Sequence, residues 1–358
     1  VTAIGAATHV TCTKGDTLIF LDEIQAAPNA ITSLKYFYEN APGYHVVAAG
    51  SLLGIELHKG ESFPVGKVQF LSLYPMSFVE FVMAMGENGL AQFLQNKDWD
   101  MINAFAPKYQ ELIRYYYYVG GMPEVVLSFS QKRDWKEVRM IQNEILKSYQ
   151  RDISKHAPLE IVPRITDIWN SIPAQLSKEN RKFIYGLVRE GARAREYEIA
   201  LQWLQDAGLI YKVYNVKAPR IPLKSYEDRA AFKIFLLDVG LLGAMARLKT
   251  TTVISGNDIF TEFKGALTEQ YVMQQLLLSY EPYYFSKPKS TQEIDFLIED
   301  EEGEVIPIEV KAETNVKAKS LRQFVEDNHP QAAYRISMND YRPEDWVTNI
   351  PLWAAESL

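Results

Sequence analysis

The chain has 358 residues, 47% hydrophobic and 23% charged, with a formal net charge of −7. That is the balance of a globular protein of two or three domains, and it argues against one that coats nucleic acid over its whole surface while leaving room for a local basic groove. One cysteine, Cys12, excludes an internal disulfide and a cysteine-based zinc site, and with no apolar run near the ~20 residues of a membrane span the reading is a cytoplasmic protein.

The first predicted elements form an α/β segment over residues 1–75. After Thr17, the four apolar residues Leu18–Leu21 end in Asp22-Glu23. Such a run reads as a buried parallel strand that delivers two acids to its C-terminal edge, where open α/β sheets bind ligands. A helix is expected near Ala30–Glu39, a strand at His45–Ala49 stopping at Gly50-Ser51, and a further strand at Val68–Leu73. In phosphate-handling ATPases the first acid of such a pair holds Mg²⁺ and the second polarises the attacking water. A polar residue at the next strand end, here Ser51, can contact the γ-phosphate or that water. No G-x-x-x-x-G-K-[ST] occurs in these residues. With Val1 at the start, the segment reads as an ATPase core without its phosphate-binding start.

From Met76 the period becomes helical. Phe78, Phe81, Val82 and Met85 share one stripe, and helices are expected over Ile113–Val119 and Trp135–Ile153, broken at Gly120-Gly121-Met122-Pro123. This gives a helical lid over residues 76–160. The run Tyr115–Tyr118 covers every face of a helix, so a packing role is favoured over base stacking. Residues 161–220 hold a helix with Tyr197, Ala200, Leu201 and Leu204, a stop at Asp206-Ala207-Gly208 and a strand at Leu209–Val213. Those are parts of a winged helix-turn-helix. Arg193 and Arg195 lie where its recognition helix would start and meet DNA. Arg181, Lys182 and Arg189 extend the basic stretch, which could equally be a solvated face.

Residues 221–358 alternate strand and helix: Phe232–Leu237, a long helix Glu262–Tyr280, strands Glu293–Ile298 and Val305–Val310 joined over Glu301–Gly303, a helix near Ser320–Glu326 and a strand at Ala333–Ser337. Residues two apart share a strand face, so Glu309 and Lys311 project together. A three-residue loop with Gly303 left-handed pairs Asp300 with Glu304 and sets Asp295 opposite Glu309. Glu269 lies on a stripe with Ala266, Met273, Leu276 and Tyr280, where a carboxylate must find a partner or a metal. The bland alternative is a solvated edge-strand ion pair worth under ~1 kcal/mol. Lys287, Lys289, Lys317, Lys319 and Arg322 flank the carboxylate strands and could add positive potential. The five histidines show no metal-ligand spacing.

Thr17–Gln25, Ala48–Leu53, Pro64–Val68, Leu73–Phe78 and Gly120–Glu124 resemble AAA-type ATPases that carry a C-terminal domain of unknown function, DUF4143. The resemblance covers almost the whole chain. It implies Asp22 and Glu23 as the Walker B acids, with Asp22 on Mg²⁺, Ser51 as the sensor position and ATP as the cofactor. Glu269, Asp295, Glu309 and Lys311 together resemble a PD-(D/E)xK nuclease fold. That likeness implies Mg²⁺ on Asp295 and Glu309, help from Glu269 through water, and Lys311 orienting the attacking water. The expected fold is therefore α/β multidomain: a partial P-loop-type ATPase sheet, a helical lid, a winged helix and a restriction-endonuclease-like domain. The expected function is ATP-dependent handling of DNA. The alternative is a non-catalytic DNA- or protein-binding regulatory module on a degenerate nuclease fold. Assembly as a homo-oligomer or with a protein partner is left open.

Overall fold

The alternation of strand and helix at both ends of the sequence is realised in a computed structural model that describes residues 1–27, 29–50, 53–56, 66–178, 182–251, 261–287, 290, 292–312 and 318–358. Two compact units divide it: residues 1–73 with 202–209, and residues 74–201 with 210–358.

In the first unit, α1 (Thr2–Thr8) precedes β1 (Leu18–Leu21), α2 (Ala30–Asn40), β2 (His45–Ala48) and α3 (Leu53–Glu56). β1 and β2 pair in parallel, Leu18 opposite His45 and Leu21 opposite Ala48. Ile19, Ile24 and Ile31 are buried, whereas Leu18 and Phe20 are more than half exposed. The expected strand at Val68–Leu73 does not form: these residues carry no strand assignment, and Phe70, Leu71 and Leu73 are 63%, 93% and 96% exposed. Apolar alternation signals burial, but a strand also needs a ladder partner, and none of the described strands lies alongside these residues.

The second unit begins with α4 (Phe78–Ala84). Its start is fixed by a capping box: Ser77 Oγ accepts from the Glu80 N–H at 3.2 Å, and Glu80 Oε2 accepts from the Ser77 N–H at 2.8 Å. Phe78, Phe81 and Val82 are fully buried, while Met85 ends the helix half-buried. α5 (Asn88–Gln95), α6 (Trp99–Ala104), α7 (Ala106–Val119), α8 (Pro123–Lys132) and α9 (Trp135–His156) follow. Tyr116, Tyr117 and Tyr118 of α7 are buried, and Tyr116 and Tyr117 pack on Tyr271. Packing, not base stacking, occupies these rings.

α10 (Val162–Leu176), α11 (Tyr185–Val188) and α12 (Ala194–Asp206) lead into β3 (Ile210–Val216) and β4 (Glu227–Leu236). β3 and β4 form an antiparallel hairpin that straddles residue 220, and Lys182 bridges to Lys233 of β4. α13 (Val239–Met245), α14 (Thr261–Leu276), β5 (Tyr283–Ser286), β6 (Glu293–Glu299), β7 (Val305–Val310), α15 (Lys319–Asn328), β8 (Tyr334–Ser337), β9 (Arg342–Pro343) and β10 (Thr348–Pro351) complete the chain. Among the described residues the sheet runs β4-β3-β5-β6-β7-β8-β10-β9. α15 places Leu321 and Phe324 in a core with Phe285, Ile294 and Leu297. α14 ends at Leu276, short of the expected Tyr280, and is buried almost all round, which is why its apolar stripe is indistinct. Its glutamines act as backbone partners. Gln270 Oε1 accepts from the Leu236 N–H at 2.9 Å, and its Nε2 donates to the Leu236 carbonyl at 2.7 Å.

Candidate functional site

The hairpin β6–β7 carries the first cluster. Phe296 pairs with Ile308 and Glu299 with Val305. The turn is closed by the Gly303 N–H donating to the Asp300 carbonyl at 3.1 Å, with Gly303 at φ +83°. One step beyond the Phe296–Ile308 pair, Asp295 faces Glu309, and Asp295 Oδ2 accepts from the Val310 N–H at 2.8 Å. Lys311 Nζ lies 2.5 Å from Glu309 Oε1. β8 adds Arg335 opposite Glu309, and β10 adds Asn349 opposite Arg335. Arg335 Nη2 pairs with Glu344 at 2.9 Å. A polar row thus crosses four neighbouring strands, with Phe296, Ile308, Ile336 and Ile350 buried one step along in each.

Glu309 is the electrostatic focus of this row. Burial, reinforced by the Asp295 carboxylate, pushes its carboxyl up to about 7, against the pull of Lys311 and Lys233. Its Oε2 is buried without a hydrogen-bond partner.

Glu269 sits on α14, fully buried, but its near neighbour is a residue that sequence reasoning missed. Lys233 of β4, 1% exposed, brings Nζ to 3.0 Å from Glu269 Oε1 and 2.7 Å from Glu293 Oε1. The same Nζ stands 4.9 Å from the centroid of the Tyr284 ring. The signal was available: Lys233 is a lone charge inside the run Ala230–Leu237, and a buried lysine requires a carboxylate. Glu269 and Glu293 therefore face one ammonium and Glu309 faces the other, with Asp295 opposite Glu309 across the hairpin.

The donor chemistry at Asp295 and Glu309 fits a hard cation that takes one or two carboxylates and keeps its water, as Mg²⁺ does. The buried, unpartnered Oε2 of Glu309 is a suitable donor. A cage of three or more Asp, Glu, His or Cys side chains is not found among the described residues, so the arrangement does not suit zinc.

In the first unit, Asp22 and Glu23 are exposed at the C-terminal end of β1. Asp22 Oδ1 accepts from the Glu23 N–H at 3.0 Å, and Glu23 takes φ +46°, a left-handed conformation costly for a residue with a side chain. Gln25 Nε2 donates to Glu23 Oε2. Ala49 knits the two strand ends together, its N–H donating to the Leu21 carbonyl at 2.9 Å and its carbonyl accepting from Ile24 at 3.0 Å. The two acids suit Mg²⁺ held through water. The nucleotide side lacks a fit, because the sequence has no lysine-bearing glycine loop to cradle phosphates. Ser51, Arg181, Lys289 and Lys317 lie outside the described residues.

Arg193 and Arg195 flank the start of α12, both exposed. Glu196 and Glu198 are exposed beside them, so the helix start is charge-mixed. Lys287 and Arg322 are engaged by Asp327 and Glu326. Among the described residues no helix is long and apolar enough to cross a membrane.

Two parallel strands, the first ending in paired acids, followed by a helical region and a strand-helix domain with a carboxylate row, make an α/β module and a C-terminal α/β domain. Comparison with known proteins makes this specific. Residues 4–82 match the AAA domain family, residues 110–252 a domain of unknown function, DUF8612, and residues 264–354 a domain of unknown function, DUF4143. The chain thus carries an AAA-type ATPase domain followed by a C-terminal DUF4143 domain. Among solved structures it is similar to the Walker-type ATPase PABY2304 of Pyrococcus abyssi, at 15% identity and a TM-score of 0.40. That likeness covers 64% of this chain and 63% of the other, so the chain spans just under two thirds of that protein's length. No curated protein matches it.

Proposed function

We propose that this protein handles DNA as a member of the AAA-type ATPases, with a nuclease-like centre in its DUF4143 domain. The observation that carries the reading is the position of Asp295 opposite Glu309, with Lys311 at 2.5 Å from the Glu309 carboxylate. In this reading Asp295 and Glu309 are the residues that would hold Mg²⁺, which would supply Lewis-acid chemistry toward a phosphodiester and water. Asp295 Oδ2 is held by the Val310 N–H. The Lys311 ammonium, steadied by Glu309, donates to a phosphate oxygen or orients the attacking water. Glu309 stays protonated into the neutral range and loses its proton as pH rises or as a cation approaches.

The order α10, the Lys182 bridge, α11, α12 and the β3–β4 hairpin supports a winged helix, with α12 as the DNA-facing helix and Arg193 and Arg195 on the phosphate backbone. Asp22 and Glu23 are the Walker B acids, and Ser51 is the sensor residue. A cytoplasmic location, in keeping with the single cysteine Cys12, is part of the same proposal.

The test is incubation of supercoiled and linear DNA with Mg²⁺ or Mn²⁺. Cleavage that Asp295→Ala removes is the expected result, and absence of both metal binding and cleavage would sink the nuclease reading. A second reading, a non-catalytic DNA- or protein-binding module, is favoured by one observation. Lys233 already pairs with both Glu269 and Glu293, as in a centre kept for its packing. DNA affinity without any divalent ion would favour that reading.

A further inference from the structure

Two pairs of carboxylates lie near one another in the C-terminal domain: Glu269 on α14 with Glu293 on β6, and Asp295 on β6 with Glu309 on β7. Two of them, Glu269 and Glu309, are nine-tenths buried or more. Carboxylates assembled in that way repel one another and lose their hydration, so each needs a cation or a proton. Lys311 serves Glu309. Lys233 serves both Glu269 and Glu293, at 3.0 and 2.7 Å, and its attraction reaches Glu309 as well.

Lys233 is not placed there by surface chance. It stands on β4 between the buried Phe232 and Ile234, and its ammonium lies above the face of Tyr284. A compact point charge with two carboxylates and an aromatic face around it, 1% exposed, is shut off from bulk water. We propose that Lys233 is the resident cation of this centre, its ammonium holding Glu269 and Glu293 in the place a second divalent ion would otherwise take. Lys233 is then a positioning residue. It confines any metal to Asp295 and Glu309, and it makes the centre a single-ion site. The inference deepens the reading of that cluster as a metal site and rests on it only for the ion at Asp295 and Glu309.

A lysine that merely packs and a lysine that replaces a metal ion differ in what can substitute for them. The experiment uses the 358-residue chain as wild type, Lys233→Ala and the double variant Lys233→Ala with Glu269→Gln. Each is titrated with Mn²⁺ by calorimetry and by the loss of the free-ion paramagnetic resonance signal, and each is melted with and without Mn²⁺. Alanine is chosen because it opens room for a hydrated ion. The expected result is one Mn²⁺ per wild-type chain and one more in Lys233→Ala. The lowered melting midpoint of that variant should recover with Mn²⁺ but not with K⁺, and the double variant should lose the gained ion. A wild type that binds none, beside a Lys233→Ala variant that binds one, would leave the inference standing and overturn the nuclease reading. A Lys233→Ala variant that binds no more Mn²⁺ than wild type, or that stays unfolded with Mn²⁺ present, overturns the inference itself.

Discussion

The Gly121 N–H donates to Asp238 Oδ2 at 2.6 Å, joining the break after α7 to the cap of α13 across a separation of 117 residues. The other carboxylate oxygen, Oδ1, accepts from the Leu241 N–H at 2.9 Å. Asp238 is fully buried, and burial pushes its carboxyl up to about 6 despite those donors. Both glycines of the Gly-Gly-Met-Pro break are needed for this fit. A Cβ on Gly120, which has φ +76°, would stand 2.2 Å from Asp238 Oδ1, and one on Gly121 would stand 2.2 Å from the Met76 carbonyl. Asp238→Ala should therefore destabilise the second unit by about 3 kcal/mol or more, because buried N–H groups lose their acceptor. Gly121→Ala should cost about as much through the clash. Urea unfolding reads both, and a loss below ~1 kcal/mol in either variant would contradict the assignment.

A pH signature belongs to Glu309. Its folded carboxyl titrates at about 7 against an ordinary 4.5, so between those values the folded state holds a proton that the unfolded state has released. Stability contributed by this group is greatest below the unfolded value and falls as pH rises through the folded one. Glu309→Gln, which keeps the shape without the charge, should flatten that fall and make the protein more stable than wild type at pH 8 by about 1–3 kcal/mol. Thermal unfolding at pH 5 and pH 8 without divalent ions checks it, and parallel pH profiles for the two proteins would refute it.

Mg-ATP should bind this 358-residue polypeptide weakly, since Asp22 and Glu23 supply acids but the sequence supplies no phosphate-cradling lysine loop. Calorimetric titration decides the matter, and micromolar affinity would mean that another part of the chain grips the phosphates. At Glu23, with φ +46°, glycine relieves the left-handed strain. Glu23→Gly should leave stability unchanged or raise it by up to ~1 kcal/mol. A clear loss would show that the carboxylate, not the backbone, fixes the turn.

Charge reversal at Arg193 and Arg195 should weaken DNA binding and lower the steepness of its salt dependence by roughly two ion equivalents. The comparison is of log affinity against log salt for wild type and the double variant. An unchanged slope would remove α12 from the DNA interface and move attention to other basic faces.

The legible part of this protein was the part set by local arithmetic. A three-residue loop and period-two alternation suffice to place Asp295 opposite Glu309, and the hairpin follows them. Glycine stops and apolar stripes likewise located α4, α7, α9 and α12, although α7 begins at Ala106, before the expected Ile113. Lys233 escaped because its partners lie 36 and 60 residues on, at Glu269 and Glu293, and nothing in its own neighbourhood announces them. Val68–Leu73 escaped for the converse reason. Its local pattern is that of a strand, but strand formation depends on a partner that local sequence does not name.

The Asp300 side chain accepts from the backbone N–H groups of both Glu302 and Glu304, at 3.0 and 2.7 Å, and so pins the tip of the hairpin. That tip lies five residues, about 17 Å, from Asp295. Lengthening Glu301–Gly303 by one residue would rotate Asp295 to the apolar side of the sheet, with every site residue still present in the sequence. Adding two residues with the pairing kept would leave the row intact. Drift in this loop is thus constrained by parity: Glu301 and Glu302 are exposed and free to vary, but an odd change in length disarms a centre the loop never touches.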